Sequence, residues 1–92
     1  MRLSIVTTLY HSEKYIDEFY YRITTQARNI TNNYELIIVD DGSPDQSFSK
    51  FKDIACIDEK IILIELSRNF GHHKAIMTGL KKAKGDYVFL ID

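Results

Sequence analysis

The chain has 92 residues, 45% of them hydrophobic, with 12 Lys and Arg residues against 13 Asp and Glu residues. A chain of this length can form one small domain, but a second domain of ordinary size is excluded. Positive and negative residues are interspersed, which argues against nucleic-acid binding and against a polybasic membrane anchor. No apolar run approaches the length of a membrane span, and the lone Cys56 excludes an internal disulfide.

The first half of the chain predicts two strands with a helix between them. Residues 3–10 form a short apolar run rich in β-branched residues, and Ser12 after it is a suitable helix N-cap. Apolar residues at spacings of three and four then predict one buried helical face: Tyr15, Ile16, Phe19, Tyr20 and Ile23. Residues 34–39 predict the second strand, and the continuous apolar run at residues 36–39 is typical of a parallel strand buried on both faces.

The second half predicts two further helices and two further strands. Residues 43–46 match a capping box with a proline at the first helical position, which predicts a helix that begins there and buries Cys56. A third strand follows at residues 61–66. Small and apolar residues then mark a third helix, which we expect to end at Gly85: Ala75, Ile76, Gly79, Leu80 and Ala83. Residues 87–92 form the last predicted strand.

The order of elements is therefore β-α-β-α-β-α-β. Three helical connections are long enough to join parallel strands by right-handed crossovers. This order predicts an α/β fold of three layers, αβα, with a mostly parallel four-stranded sheet and Rossmann-like topology. Ligands of such sheets bind outside the carboxyl ends of the strands, so candidate functional residues are expected there.

Five polar or aromatic side chains follow the predicted strand ends. Thr8 and Tyr10 could bond to a base and stack on it. Asp40 and Asp41 come directly after the second strand, and a carboxylate there could accept a hydrogen bond from the ring N–H of uracil or guanine. Arg68 follows the third strand and could bind a phosphate or stack on a base.

Each of these groups also has a structural interpretation. The Asp-Gly pair at residues 41–42 is common in turns, an arginine in a loop is usually solvated, and Tyr10 also suits packing at the edge of a core. His72 and His73 are adjacent and point about 100° apart on a helix, which is poorly suited to joint metal chelation. Neither a Gly-x-Gly-x-x-Gly nor a P-loop segment is present, which argues against dinucleotide cofactors and P-loop phosphoryl transfer.

Four segments together resemble the beginning of a family 2 glycosyltransferase: residues 4–10, 35–43, 68–71 and 85–92. The Arg-Asn-Phe-Gly loop is similar to the branch that contains polyprenyl-phosphate sugar transferases. The resemblance implies the Rossmann-like half of a GT-A fold and a nucleotide-diphosphate sugar donor. It also implies a divalent cation, Mg²⁺ or Mn²⁺, and inversion at the anomeric carbon.

The resemblance also implies roles for individual residues. Thr8 and Tyr10 would line the base pocket, with Asp40 and Asp41 at the base and Arg68 near the base or diphosphate. Asp92 would be the first aspartate of an Asp-x-Asp metal motif. The general base that activates the acceptor would lie beyond residue 92, so we expect no catalytic residue within the chain.

The leading hypothesis is that residues 1–92 are the nucleotide-sugar-binding half of a glycosyltransferase domain truncated at its C-terminus. UDP-sugars are favoured as donors and GDP-sugars come next, with a lipid phosphate or a growing glycan as acceptor and a hexosyltransferase reaction. We expect no turnover by these residues alone, a cytoplasmic location, and membrane association only through parts outside the chain. The alternative is a non-enzymatic, flavodoxin-like module that binds a nucleotide or a protein, and an unpaired sheet edge could promote self-association.

Overall fold

The computed structural model describes residues 2–91. The elements follow in the predicted order: β1 (Leu3–Leu9), α1 (Ile16–Ile30), β2 (Tyr34–Asp40), α2 (Ser47–Ala55), β3 (Ile61–Glu65), α3 (His72–Lys82) and β4 (Tyr87–Ile91). A short 3-10 turn, Glu13–Tyr15, precedes α1. All strands of this sheet are parallel, in the spatial order β3-β2-β1-β4. The predicted α/β class with a four-stranded parallel sheet is therefore confirmed.

Helices cover both faces of the sheet, which confirms the three-layer arrangement. α1 and α2 pack on one face, where the larger hydrophobic cluster includes Leu3, Leu36 and Phe51. α3 packs on the opposite face against β1 and β2, in a cluster formed by Val6, Ile37, Val39 and Ala75. Every residue of β2 is buried, as predicted for a central parallel strand.

α3 approaches the sheet closely because a glycine faces it. A Cβ atom added to Gly79 would lie 2.5 Å from Cγ1 of Val6 and 3.1 Å from Cγ2 of Val39. Both valines are fully buried, so neither side chain has space into which it could move. The small residue at this position therefore sets the distance between the helix and the two central strands.

A buried carboxylate fastens the turn before β4 to the central strands. Glu35 of β2 is 3% exposed, and its Oε2 accepts hydrogen bonds from the Ser4 hydroxyl at 2.5 Å and the Lys84 backbone N–H at 2.7 Å. Its Oε1 pairs with the Arg2 guanidinium at 3.2 Å. Burial alone would raise the pKa of Glu35, but these hydrogen bonds and the Arg2 charge outweigh burial and hold the pKa below its usual value.

Two helix starts differ from the sequence predictions. α2 begins only at Ser47, and the predicted capping box at residues 43–46 is wrong. The Ser43 oxygen accepts from the His11 N–H at 3.2 Å and not from a helix N–H, and its hydroxyl donates to the Asp40 carboxylate at 2.6 Å. Ser12 forms no side-chain cap bond either, and its hydroxyl donates to a carbonyl within its own loop. Side-chain oxygens near the strand ends thus stabilise loops instead of capping helices.

Two other local predictions are also wrong. α3 ends at Lys82, so Gly85 does not terminate it; a Cβ atom at Gly85 would lie 2.6 Å from the Ser4 hydroxyl oxygen, which explains the glycine by close approach to β1. Cys56 is exposed and not part of the core, because α2 ends one residue earlier at Ala55.

The outer strand β4 is largely exposed. In β4 four consecutive side chains are between 42% and 60% exposed: Tyr87, Val88, Phe89 and Leu90. Successive residues of a strand point to opposite faces, so apolar surface is open on both sides of β4. Self-association through such an edge stays a prediction.

None of the helices in residues 2–91 is long and apolar enough to cross a membrane.

Replacing Gly79 by alanine should destabilise the chain. The added methyl group would overlap Val6, and overpacking of this kind costs about 1–3 kcal/mol, of which the better helix propensity of alanine offsets about 1 kcal/mol. Urea unfolding measures the change in the free energy of unfolding. Lys81→Ala, at an exposed position of the same helix, should change it by less than about 0.5 kcal/mol, and equal effects of the two variants would contradict the close-approach argument.

Glu35 should make the chain sensitive to acid. Because its pKa is lowered in the folded state, its stabilising contribution is present at neutral pH and is lost as the pH falls below about 4.3, the usual value for Glu. Glu35→Gln should flatten this acid-side loss and cost about 1–3 kcal/mol at pH 7. The amide oxygen can still accept from Ser4 and Lys84, but the NH₂ group then faces the Arg2 guanidinium, which is also a donor. The measurement is urea unfolding over a pH series, and the exposed Glu59→Gln should leave the profile unchanged.

Candidate functional site

Two strand ends and the loop after β3 form the carboxyl edge of the sheet. β2 and β4 lie on either side of β1, so the strand order reverses there and the switch point lies at the carboxyl ends of β1 and β4. The Asp41 N–H donates to the Leu9 carbonyl at 2.8 Å, and the Leu66 N–H donates to the Asp40 carbonyl at 3.0 Å. The five candidate residues lie at this edge: Thr8, Tyr10, Asp40, Asp41 and Arg68.

Asp41 holds the loop that follows β3. The residue is only 4% exposed, and its Oδ1 accepts a hydrogen bond from the Phe70 backbone N–H at 3.0 Å. Within residues 2–91 no donor bonds to the second carboxylate oxygen, Oδ2. Every fully buried side-chain oxygen of that range has a hydrogen-bond partner, so Oδ2 is in contact with solvent. The Oδ2 atom is therefore the oxygen that remains available at the carboxyl edge.

Gly42 lets the turn after β2 lie against the same loop. Its φ of 67° is in the left-handed region, and an added Cβ atom would lie 2.4 Å from both the carbonyl carbon of Arg68 and the backbone nitrogen of Asn69. Glycine is thus required twice at this position, for its backbone angle and for the space that a side chain would fill. Asp41 and Arg68 are brought to one place by this contact.

Asp40 has a different set of partners from its neighbour. It is 2% exposed, and Ser43 donates its hydroxyl to Oδ1 at 2.6 Å and its backbone N–H to Oδ2 at 3.2 Å. The Ser43 oxygen in turn accepts a bond from the His11 N–H at 3.2 Å, and His11 has a positive φ of 54°. Nucleotide binding by Asp40 stays a prediction, and its contacts give it a positioning role in the loop.

Reciprocal hydrogen bonds join the loops after β1 and β2. The Ser12 N–H donates to the Ser47 hydroxyl oxygen at 2.7 Å, and the Glu13 N–H donates to Asp45 Oδ2 at 3.2 Å. In the other direction, the Gln46 N–H donates to Glu13 Oε1 at 3.1 Å. Each loop thereby supplies side-chain acceptors for the backbone of the other.

The loops are joined through an ionised carboxylate. Burial alone would raise the pKa of Asp45, but hydrogen bonds from the Ser47 hydroxyl and N–H and from the Glu13 N–H outweigh it and lower the pKa. His11 Nδ1 lies 3.9 Å from Asp45 Oδ2 and adds to the lowering. Asp45 is therefore negatively charged at neutral pH, and the charged carboxylate accepts the hydrogen bonds that join the two loops.

The end of β1 presents a hydroxyl and an aromatic ring. Tyr10 is 49% exposed, so its ring is open to a ligand, and it does not belong to either hydrophobic cluster. Thr8 Oγ1 lies 3.3 Å from His72 Nδ1 at the start of α3. The sequence marks His72 only as half of a pair that is poorly suited to metal chelation. It gives no sign of the contact with Thr8, because only the fold brings α3 to β1.

Arg68 and Lys74 lie against the same aromatic ring, that of Phe70. The Arg68 guanidinium carbon lies 4.7 Å from the centroid of the Phe70 ring, and Lys74 Nζ lies 4.8 Å from the same centroid. Both cations are exposed. The Asp41 bond to the Phe70 backbone fixes the residue around which the two positive charges gather.

The metal prediction falls largely outside the described residues. Asp92 lies beyond them, and residues 2–91 contain no group of three His, Cys, Asp or Glu side chains that could hold an ion. The described residues therefore provide no complete metal site, and the divalent cation stays a prediction.

Gly42→Ala should disrupt this edge more than Gly71→Ala. Both glycines have positive φ, 67° and 102°, so each alanine carries a backbone cost of about 1–3 kcal/mol. Only the Gly42 substitution also collides with backbone, whereas an added Cβ at Gly71 meets nothing within 4 Å. Urea unfolding should show the larger loss for Gly42→Ala, with amide shifts at Phe70 and Asp41 in NMR spectra. Equal losses would contradict the close contact.

The sequence matches proteins of one enzyme family. The model of the family described as glycosyl transferase family 2 matches residues 4–92. A protein of Mycobacterium tuberculosis whose name places it with glycosyltransferases is 56% identical over 92 residues, which cover 100% of this chain and 27% of that protein. The undecaprenyl-phosphate 4-deoxy-4-formamido-L-arabinose transferase of Aeromonas hydrophila is 37% identical over 98% of this chain and 28% of its own length.

Solved structures share the fold. S. aureus TarS 1–349 superposes with a TM-score of 0.80 at 27% identity, over 100% of this chain and 27% of that chain. TarS 1–349 was also solved in complex with UDP and with UDP-GlcNAc, with TM-scores of 0.79 and 0.80. The fold is thus the Rossmann-like part of these GT-A structures, and the chain spans a little more than a quarter of the relatives that it matches. The family match over residues 4–92 and these relatives show that the chain belongs to glycosyl transferase family 2.

Proposed function

We propose that residues 1–92 bind the donor of an inverting glycosyltransferase that takes a sugar from a nucleotide-diphosphate sugar. The observation that carries this proposal is the carboxyl edge itself, where Asp41 offers one carboxylate oxygen between the end of β1 and the loop of Arg68. Ligands of open parallel sheets bind at this edge, near the switch point.

Asp41 is the residue that selects the base. Its Oδ1 is engaged by the Phe70 N–H, so Oδ2 is the oxygen that accepts the ring N–H of the base. Uracil and guanine carry such an N–H, whereas cytosine and adenine do not. The half-exposed ring of Tyr10 stacks on the base, and the Thr8 hydroxyl supplies a further polar contact.

A uridine nucleotide is the first choice of donor, with a guanosine nucleotide next. The TarS structures with UDP and UDP-GlcNAc support this order, because they share the fold at 27% identity. Arg68 is exposed at the same edge and forms no ion pair with a carboxylate of residues 2–91, so its charge is available to the diphosphate.

The acceptor that we favour is a polyprenyl phosphate. Relatives named undecaprenyl-phosphate transferases, at 37% and 38% identity, support this class of acceptor, with a growing glycan as the second candidate. We place the general base outside residues 1–92, and expect no sugar transfer by these residues alone. A divalent cation, Mg²⁺ or Mn²⁺ with Asp92 as one ligand, would neutralise the leaving diphosphate.

A non-enzymatic module that binds a nucleotide or a protein is the alternative function. Membership of a glycosyltransferase family favours the enzyme. The two hypotheses differ in what a longer chain of the same protein should do: the enzyme transfers sugar from UDP-sugars, whereas the module binds nucleotide without turnover.

Asp41→Asn should weaken UDP binding and reverse the preference between bases. The asparagine oxygen can still accept the Phe70 N–H, which places the amide NH₂ where Oδ2 was and opposes it to the uracil N–H. A lost charge-assisted hydrogen bond of about 1.5–3 kcal/mol corresponds to a loss of about tenfold to a hundredfold in UDP affinity. CDP should gain relative to UDP, because N3 of cytosine accepts from the amide. Titration followed by NMR gives both affinities.

Asp53→Asn is the matched control, since Asp53 is an exposed carboxylate on α2 away from this edge. It should leave UDP and CDP binding unchanged. Equal behaviour of the two variants, or no binding of UDP and GDP by the unmodified chain, would overturn the assignment of the site. Unchanged urea unfolding of Asp41→Asn separates lost recognition from lost folding.

A further inference from the structure

The charges of the chain are not evenly mixed, contrary to the expectation from its near-neutral total. The segment 66–85 contains five cations and no Asp or Glu: Arg68, Lys74, Lys81, Lys82 and Lys84. The rest of the chain holds the other seven cations and all thirteen acidic residues. Near-neutrality therefore results from one strongly positive segment and an acidic remainder.

The fold gathers this segment on one side of the molecule. It consists of the loop after β3, all of α3 and the turn before β4, and α3 packs on the face of the sheet opposite α1 and α2. All five cationic residues are exposed. α3 has 11 residues, so its axis of about 16 Å separates the cations at its two ends. We name this surface the α3 face: Arg68, Lys74, Met77, Lys81, Lys82 and Lys84.

Within the described part of the chain, no carboxylate forms an ion pair with a cation of the α3 face. The three ion pairs within residues 2–91 join Arg2 to Glu35, His11 to Asp45 and Arg22 to Glu18, and none includes a cation of the α3 face. Met77 lies between the two ends of the helix and is 42% exposed. Exposed cations without a carboxylate partner, on the same helix as an exposed apolar side chain, complement a surface that is negatively charged and apolar beneath.

We propose that the α3 face docks on an anionic lipid membrane. This inference rests on the proposed function in one respect, because a polyprenyl-phosphate acceptor resides in a membrane. α3 begins at His72, at the carboxyl edge, and runs to the opposite edge of the sheet. Charge complementarity carries the choice of partner, because lysines near an anionic bilayer are attracted to it without specific contacts. This proposal differs from the expectation that membrane association involves only parts outside the chain, and the vesicle test below distinguishes the two.

The test compares two variants that lose the same charge at different places. Sedimentation with vesicles of phosphatidylcholine, with and without phosphatidylglycerol, measures partitioning of the chain. We expect binding to the anionic vesicles only, and less of it as salt is added. Lys81→Gln with Lys82→Gln should weaken partitioning about twenty-five-fold, since each cation near the surface contributes about fivefold.

Arg28→Gln with Lys52→Gln is the control, because both cations are exposed and lie on α1 and α2, which cover the opposite face of the sheet. It should leave partitioning unchanged. Equal losses in the two double variants, or binding to heparin without binding to anionic vesicles, would overturn the membrane proposal. UDP titration keeps the two proposals apart. The double variant Lys81→Gln with Lys82→Gln should bind UDP as the unmodified chain does. For the unmodified chain, UDP binding without vesicle binding rejects only the membrane surface, and vesicle binding without UDP binding rejects only the donor site.

Discussion

Backbone amides at the carboxyl edge of a parallel sheet need acceptors, and here side-chain oxygens supply them. Asp41 accepts from Phe70, Asp40 from Ser43, and Asp45 from Glu13. Strands buried on both faces end abruptly in loops whose N–H groups have no neighbouring strand, and an unpaired buried N–H costs about 1–3 kcal/mol. The same carboxylates that satisfy these amides shape the candidate donor site, so the site cannot form without the loops.

Architecture follows from the sequence because it depends on period and order. Continuous apolar runs and helical stripes located every element, and the burial of β2 follows directly from Leu36–Val39. Local chemistry near the strand ends was less predictable. Ser43 has the sequence context of a helix cap, but its hydroxyl is taken by Asp40, which precedes it by three residues in the chain. Short-range patterns could not show that the N–H bonded to the Ser43 oxygen would come from His11 in another loop and not from the helix.

The sequence predicts which candidate residues lie at the carboxyl edge, but it does not predict the contacts that orient them. Thr8 lies near the end of β1, and Tyr10, Asp41 and Arg68 follow strand ends, so their place at the carboxyl edge could be predicted from sequence position alone. The partners that orient them come from distant segments: Phe70 for Asp41 and His72 for Thr8. The charge pattern was missed for another reason, since a total of 12 cations and 13 acids hides a stretch with no acids at all. Segregation becomes meaningful only when α3 is seen to cover one face.

The unequal enclosure of the strands sets a gradient of local stability across the sheet. β2 is buried throughout and bonded to a strand on each side, whereas β4 is exposed on both faces and bonded only to β1 within the described sheet. Opening of β4 therefore exposes little additional apolar surface, while opening of β2 exposes the whole core. Backbone amides of β4 should exchange with solvent through small fluctuations, and those of β2 only through global unfolding. The sheet thus combines a central strand, β2, of high local stability with an outer strand, β4, of low local stability.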